Sequence, residues 1–163
     1  MENYIFNHLR FARDNTIGQV AEVNDRTSLI IPEGFNNNIK WNLGHIYVVQ
    51  EIFAFRSNEE KMKMPDHFMK LFSRGTKPGD WGEQVPSIHE LIQLLENQFN
   101  RIEQVLEPRL KETVEHPFTT STGSLTLSTV EEFLSFCLYH EGIHVEAIKS
   151  IKRIIQKSGA FMK

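Results

Sequence analysis

The chain has 163 residues, a formal net charge of −3, 40% hydrophobic residues and a single cysteine, Cys137. This length suits one domain, residues 1–163, with a core large enough to fold without a disulfide or a structural metal. The slight acidity argues against nucleic-acid binding through phosphates, and no apolar run approaches the roughly 18–20 residues of a membrane span. With one cysteine and no basic n-region of a signal peptide, the sequence predicts a soluble cytoplasmic protein.

Apolar residues recur every three or four positions in four stretches, the spacing typical of amphipathic helices. The first predicted helix ends before residues 26–28, which with the following residues up to Gly34 are interpreted as a connection. Its stripe consists of Ile5, Leu9, Ala12, Thr16 and Val20. The second begins after three asparagines, residues 36–38, each a good N-cap, and ends near residues 56–58. Its stripe consists of Trp41, His45, Val48, Ile52 and Phe55.

Two capping boxes predict where the third and fourth helices start. They are Ser87 with Glu90, and Ser128 with Glu131. The stripe of the third helix consists of Leu91, Leu94, Leu95, Gln98, Ile102 and Leu106. The fourth helix is expected to run to Gly159, because glycine commonly stops a helix at its carboxyl end.

The connections between these helices complete the predicted architecture. Pro108 closes the third helix, because proline cannot extend the hydrogen-bond ladder. Glycines and prolines interrupt residues 59–86, where Asp66 could cap a short helix ending at Phe72 that packs back on the body. Residues 118–127, rich in threonine and serine, predict a small hairpin. The predicted fold is all-α: a four-helix bundle with long second and third connections.

Three of the seven histidines, His45, His140 and His144, fall on predicted core stripes. His140 and His144 are four residues apart and therefore share one helical face. A buried imidazole needs partners for both ring nitrogens, which side chains, water or a metal ion can provide. Three neutral imidazoles suit one divalent ion, such as zinc, nickel or iron, and leave a coordination position open as catalytic sites do.

Two glycines and the cysteine lie close to these histidines in sequence. A glycine within a helix costs about 1 kcal/mol relative to alanine, so Gly44 and Gly142 are each expected to permit close packing or ligand approach. Cys137 shares a face with His140, which leaves a ligand or nucleophile role open. A lone buried cysteine is more often a small core residue, and that interpretation is preferred.

Residues 140–144 read His-Glu-Gly-Ile-His and match the H-E-x-x-H pattern, in which the glutamate is the general base of a peptidase. The pattern is incomplete, because no histidine follows His144 and Glu146 is nearly opposite in helical phase. A di-iron carboxylate site needs two Glu-x-x-His copies, but Asn42 stands where the second glutamate would be. Glu141 remains a candidate to accept a proton or to orient a histidine.

Two runs carry a family resemblance: Trp41-Asn42-Leu43-Gly44-His45 and His140-Glu141-Gly142-Ile143-His144. With the helix order and the length, they resemble the DinB-like superfamily, which includes bacterial damage-inducible proteins and YfiT-like thiol transferases. The resemblance covers nearly the whole chain. It implies a four-helix bundle, commonly dimeric, with a three-histidine metal site and a connection to stress response. Relatives transfer low-molecular-weight thiols, and some are maleylpyruvate isomerases.

The expected function is therefore a metal-dependent transferase that joins a low-molecular-weight thiol to a small electrophile. A thiol at the open metal position would lose its proton and become a nucleophile. Two alternatives remain: hydrolysis by metal-bound water, and a non-catalytic metal-binding bundle that acts through protein contacts. The expected partners are a small-molecule substrate and a second copy of the chain, with neither nucleic acid nor membrane.

Overall fold

The computed structural model describes residues 4–56, 61–82 and 84–159, and these ranges fold into a helical bundle. Its helices are α1 (Tyr4–Val20), α2 (Asp25–Ser28), α3 (Ile39–Phe55), α4 (Phe68–Phe72), α5 (Ile88–Leu106) and α6 (Val130–Lys157). The four long helices form a ring, in which α6 packs between α1 and α3 while α5 packs against both from the other side. The predicted all-α bundle is confirmed. No helix within the described ranges is long and apolar enough to cross a membrane.

A two-stranded antiparallel hairpin joins α5 to α6. Strand β1 (Thr113–Thr119) pairs with β2 (Thr126–Thr129), and the pairing is irregular between Thr113 and Phe118. Gly123 has a φ of +70° in the turn, a conformation that glycine adopts without strain. The predicted hairpin is confirmed, although its first strand begins earlier than expected.

The helix starts follow local capping, with one correction. Asn38 caps α3, and the box of Ser87 with Glu90 caps α5, both as predicted. The predicted start of the fourth helix was wrong by one residue, because its capping box is Thr129 with Glu132. Both candidate boxes have the same local pattern. The hairpin determines which of Ser128 and Thr129 caps the helix, because the chain stays extended through Thr129, which pairs with Thr113.

The connections contain two further differences from prediction. Residues 26–28 belong to α2, whose capping box is Asn24 with Thr27. The short helix α4 forms as expected, but its N-cap residue is His67 rather than Asp66, and no side chain caps it. It is held by burial of Phe68, Leu71 and Phe72 instead, so the second connection does pack back on the body. The predicted end of the second helix near residues 56–58 is confirmed, because α3 ends at Phe55 with Arg56 as its C-cap residue. Residues 57–58 and the first three residues of the chain lie outside the described ranges.

The interior consists of two apolar clusters separated by polar side chains. The first cluster includes Val20, Leu43, Ile46, Val48, Phe72, Leu91, Leu95, Ile148 and Ile151. The second includes Phe6, Leu9, Ala54, Phe99, Ile102, Leu134 and Cys137. Four buried polar side chains, which we name the polar layer, lie between them: Arg13, Thr16, Gln50 and Glu141. Arg13 was missing from the predicted stripe of α1, where Ile5 and Ala12 are only half-buried.

Candidate metal centre

The structure brings together the three histidines that the sequence grouped. His45 lies on α3, and His140 and His144 lie one turn apart on the neighbouring α6. Their ring centroids are 4.6 Å apart for His140 and His144, 4.9 Å for His45 and His144, and 5.1 Å for His45 and His140. One potential ligand atom from each side chain lies within 4.8 Å of the other two. The cluster can therefore hold a single metal ion.

Hydrogen bonds fix the orientation of two of these rings. Nδ1 of His45 lies 2.6 Å from the carbonyl oxygen of Phe72, and Nδ1 of His144 lies 2.7 Å from Oδ1 of Asn42. Both oxygens are acceptors, so each Nδ1 carries the hydrogen and each Nε2 keeps a free lone pair. The Asn42 amide is itself oriented, because its Nδ2 donates to the carbonyl of Asn38 at 2.7 Å. These contacts leave the Nε2 atoms of both rings available as ligands.

The α3 run around His45 supplies the walls of the site. The Trp41 indole stacks on His45, with ring centroids 4.5 Å apart and planes 13° apart, and its Nε1 donates to Thr76 at 2.9 Å. A Cβ on Gly44 would overlap the Phe72 ring, so only glycine lets α4 approach closely enough for the Phe72 carbonyl to reach His45. The predicted close packing at Gly44 is confirmed. The His45 ring is therefore held by Trp41 on one face and by the Phe72 carbonyl of α4 at its Nδ1.

Burial keeps the three imidazoles neutral. Burial lowers the pKa of His45, and the hydrogen bond to Phe72 opposes this only in part. Burial and the neighbouring His144 and His45 lower the pKa of His140 to about 3. Burial and His45 lower the pKa of His144 to about 4. Neutral imidazole is the form that coordinates metals, so at neutral pH the donor set fits a divalent ion such as zinc, nickel or iron.

Glu141, the candidate proton acceptor, is buried in the polar layer. Its Oε1 accepts hydrogen bonds from Thr16 Oγ1 at 2.6 Å and Arg13 Nε at 3.0 Å, and its Oε2 lies 3.2 Å from Arg13 Nη2. The role of Arg13 as the partner of Glu141 was not predicted from the sequence. The available signal was an arginine at the core phase of α1, matched by a glutamate at the core phase of α6. A role for Glu141 in proton transfer remains a prediction.

The remaining candidates near the site have simpler surroundings. An added Cβ on Gly142 would meet nothing within 4 Å, so the packing explanation for this glycine was wrong. Cys137 is a buried free cysteine in the second apolar cluster. Burial and the nearby Glu141 raise the pKa of its thiol, which therefore stays protonated at neutral pH. The other four histidines are exposed: His8, His67, His89 and His116.

Comparison with known proteins identifies the family. The family model of the DinB superfamily matches residues 8–148, a range that includes all three histidines and most of the four-helix bundle. No curated protein matches the chain. Because the match covers most of the chain, this protein belongs to the DinB superfamily.

Proposed function

We propose that His45, His140 and His144 hold one divalent metal ion, and that the protein uses this site to transfer a low-molecular-weight thiol to a small electrophile. The observation that carries the proposal is the convergence of three neutral imidazoles from two helices. Two of the rings have Nδ1 satisfied by an acceptor, which leaves Nε2 for the ion. Zinc, nickel and iron all suit this donor set.

The number of protein ligands favours a catalytic over a structural role. A structural zinc site is normally closed by four protein ligands, whereas catalytic sites supply three and keep a position for substrate or water. Within the described residues, the group that can hold a metal consists of these three histidines. The buried thiol of Cys137 is protonated, which favours a nucleophile that comes from the co-substrate.

The proposed reaction forms a sulfur–carbon bond. A divalent ion held by the three histidines would supply the Lewis acidity that makes a thiolate available near neutral pH. The sulfur electron pair forms the bond to carbon, the leaving group departs with the electrons of the broken bond, and the thiol proton passes to solvent. The protein's own residues orient the three-histidine site: Phe72 and Asn42 fix two of the rings, and Trp41 covers one side of His45.

Elemental analysis of the purified protein tests the metal site. The wild-type chain is expected to carry about one divalent ion, and His45→Ala is expected to lose it while remaining folded. His89→Ala, which removes an exposed histidine on α5, is the matched control and should retain the ion. Full occupancy in His45→Ala would show that the three histidines are not the ligands.

Thiol consumption tests the reaction. The metal-loaded protein is incubated with bacillithiol, mycothiol or glutathione and a panel of small electrophiles. If the protein transfers a thiol, free thiol should be consumed in a metal-dependent reaction. This consumption should be reduced in both His140→Ala and His144→Ala and retained in Cys137→Ser. Water-dependent cleavage without any thiol would favour the hydrolase, and a metal-loaded protein inactive with every pair would favour the non-catalytic bundle.

We also propose that the protein is a cytoplasmic homodimer. Large apolar side chains remain exposed on the outer faces of two helices, including Phe11 on α1 and Tyr139 and Ile143 on α6. Apolar surface of this kind is typical of contacts between subunits. Sedimentation at several concentrations tests the proposal, and a species of one chain's mass at all of them would contradict it.

A further inference from the structure

Arg13 is a buried charge at the centre of the bundle, between the two apolar clusters. Its side chain is 2% exposed, and that of its partner Glu141 is also 2% exposed. A buried ion pair is a costly way to fill a core, because desolvation of both charges offsets most of their attraction. Replacement of a buried ion pair by well-packed apolar side chains of similar volume is often neutral or stabilising. The pair therefore calls for an explanation beyond packing.

The contacts of Arg13 connect all four helices of the bundle. From α1, its Nε and Nη2 reach the two carboxylate oxygens of Glu141 on α6. Its Nη2 also contacts Oε1 of Gln50 on α3, and its Nη1 donates to the carbonyl of Leu95 on α5. The guanidinium is a rigid planar fork, so these bonds form together in only one relative arrangement of the helices.

We infer that Arg13 is a positioning residue for the metal centre: it sets the rotation of α6 against α1 and α3, so that His140 and His144 face His45. This inference rests on the proposed metal site. Glu141 lies between the two α6 histidines in sequence, on the same helical turns. Gln50 lies five residues after His45 on α3. Arg13 therefore contacts both metal-bearing helices, at the level of the histidines on α6 and about 7.5 Å beyond His45 along α3.

The contacts of Arg13 matter because a metal site tolerates only small displacements of its ligand atoms. A side-chain atom lies about 5–6 Å from its helix axis, so a helix rotation of about 20° moves it by about 2 Å. A metal site accepts deviations of only about 0.2 Å from the ideal distance. Apolar contacts alone are non-directional and permit small rotations. The directional hydrogen bonds between Arg13 and Glu141 restrict this rotation in the part of α6 that carries the ligands.

Cobalt(II) binding tests the inference, because cobalt reports both affinity and coordination geometry through its visible absorption. The test variant is R13M/E141Q, which removes both charges together and avoids leaving either one buried alone. The matched control is R101M/E51Q, which makes the same replacements in a second ion pair, between Arg101 on α5 and the buried Glu51 on α3. The other described hydrogen bonds of this pair are to Lys61, Lys63 and Gln98, and none of these residues lies on α6. Denaturation of each metal-free protein establishes that it is folded under the binding conditions.

We expect R13M/E141Q to bind cobalt about 10-fold or more weakly than wild type and with a changed visible spectrum, the effect typical of lost support around metal ligands. The control should bind within about twofold of wild type with an unchanged spectrum, because loss of stability alone does not alter the geometry of a folded site. Equal spectra and affinities in all three proteins would overturn the inference, as would equal weakening in both variants.

A third variant covers failure of the double variant to fold. Arg13→Lys keeps the charge opposite Glu141, but it lacks the planar fork that also reaches Gln50 and Leu95. A folded Arg13→Lys protein with wild-type affinity and spectrum would overturn the inference, and weaker binding with a changed spectrum would support it. Failure of the wild-type protein itself to bind cobalt would overturn the proposed metal site, which separates the two conclusions.

Discussion

His144 on α6 donates its Nδ1–H to the side-chain oxygen of Asn42 on α3, 2.7 Å away. His45, three residues after Asn42, belongs to the same helix, so α3 supplies both one potential ligand and the support for another. The amide of Asn42 is held in turn by the Asn38 carbonyl, and Asn38 is also the residue that caps α3. The start of α3 and the orientation of His144 are therefore coupled.

The first prediction concerns this support. Asn42→Ala leaves the His144 Nδ1–H without its acceptor, so the ring loses its preferred tautomer and orientation. We expect divalent-metal affinity to fall about 10-fold or more, measured by competition with a chelator. Gln98→Ala is the matched control, because Gln98 is a buried amide that bonds the Tyr47 carbonyl and Glu51 rather than a histidine. Equal affinities in wild type and Asn42→Ala would contradict the prediction.

The second prediction compares glycines near the site. Gly44→Ala forces a Cβ against the Phe72 ring and is expected to lower the free energy of unfolding by about 1–3 kcal/mol. Gly142→Ala places its Cβ in open space and is expected to raise the free energy of unfolding by up to about 1 kcal/mol. Urea denaturation of the metal-free protein measures both. Gly18→Ala on α1, where an added Cβ also meets open space, is the control. Destabilisation in Gly142→Ala would show a packing role that its surroundings do not explain.

The third prediction concerns Cys137. Burial and the nearby Glu141 raise the pKa of its thiol, so the folded protein offers neither access nor thiolate to an alkylating reagent. We expect iodoacetamide to label Cys137 slowly at pH 7.5 in the native protein and rapidly in urea, as followed by mass spectrometry. Rapid native labelling would indicate a reactive thiol and would reopen the question of a protein-borne nucleophile.

Much of the fold could be predicted from sequence because its signals are local. Helical spacing and the capping box of Ser87 with Glu90 determine where the long helices lie. At the start of α6 the choice between Ser128 and Thr129 depends on pairing with Thr113, which lies far away in sequence. Local pattern is the same at both positions, so sequence alone could not distinguish them.

The candidate site likewise has features that local sequence predicts and features that depend on contacts distant in sequence. The spacing of His140 and His144 and the inward phase of His45 are local properties and predict the cluster. The partners of the rings are not local, because the Phe72 carbonyl reaches His45 only when α4 packs against Gly44. Arg13 was overlooked because a charged residue is not expected on a core stripe until its partner is known.

The last prediction concerns pH. The pKa values of His140 and His144 are lowered to about 3 and about 4, below the ordinary histidine value of 6.5. As the pH falls through 6.5, the unfolded chain binds protons that the folded chain does not, so the metal-free protein loses stability. We expect the urea concentration at its unfolding midpoint to decrease as the pH is lowered from about 6.5 to about 5, a range above the one in which carboxylates titrate. The fall should be shallower in His140→Gln and unchanged in His89→Gln, where the exposed histidine is removed. A midpoint independent of pH over this range would contradict the assignment of buried, neutral histidines.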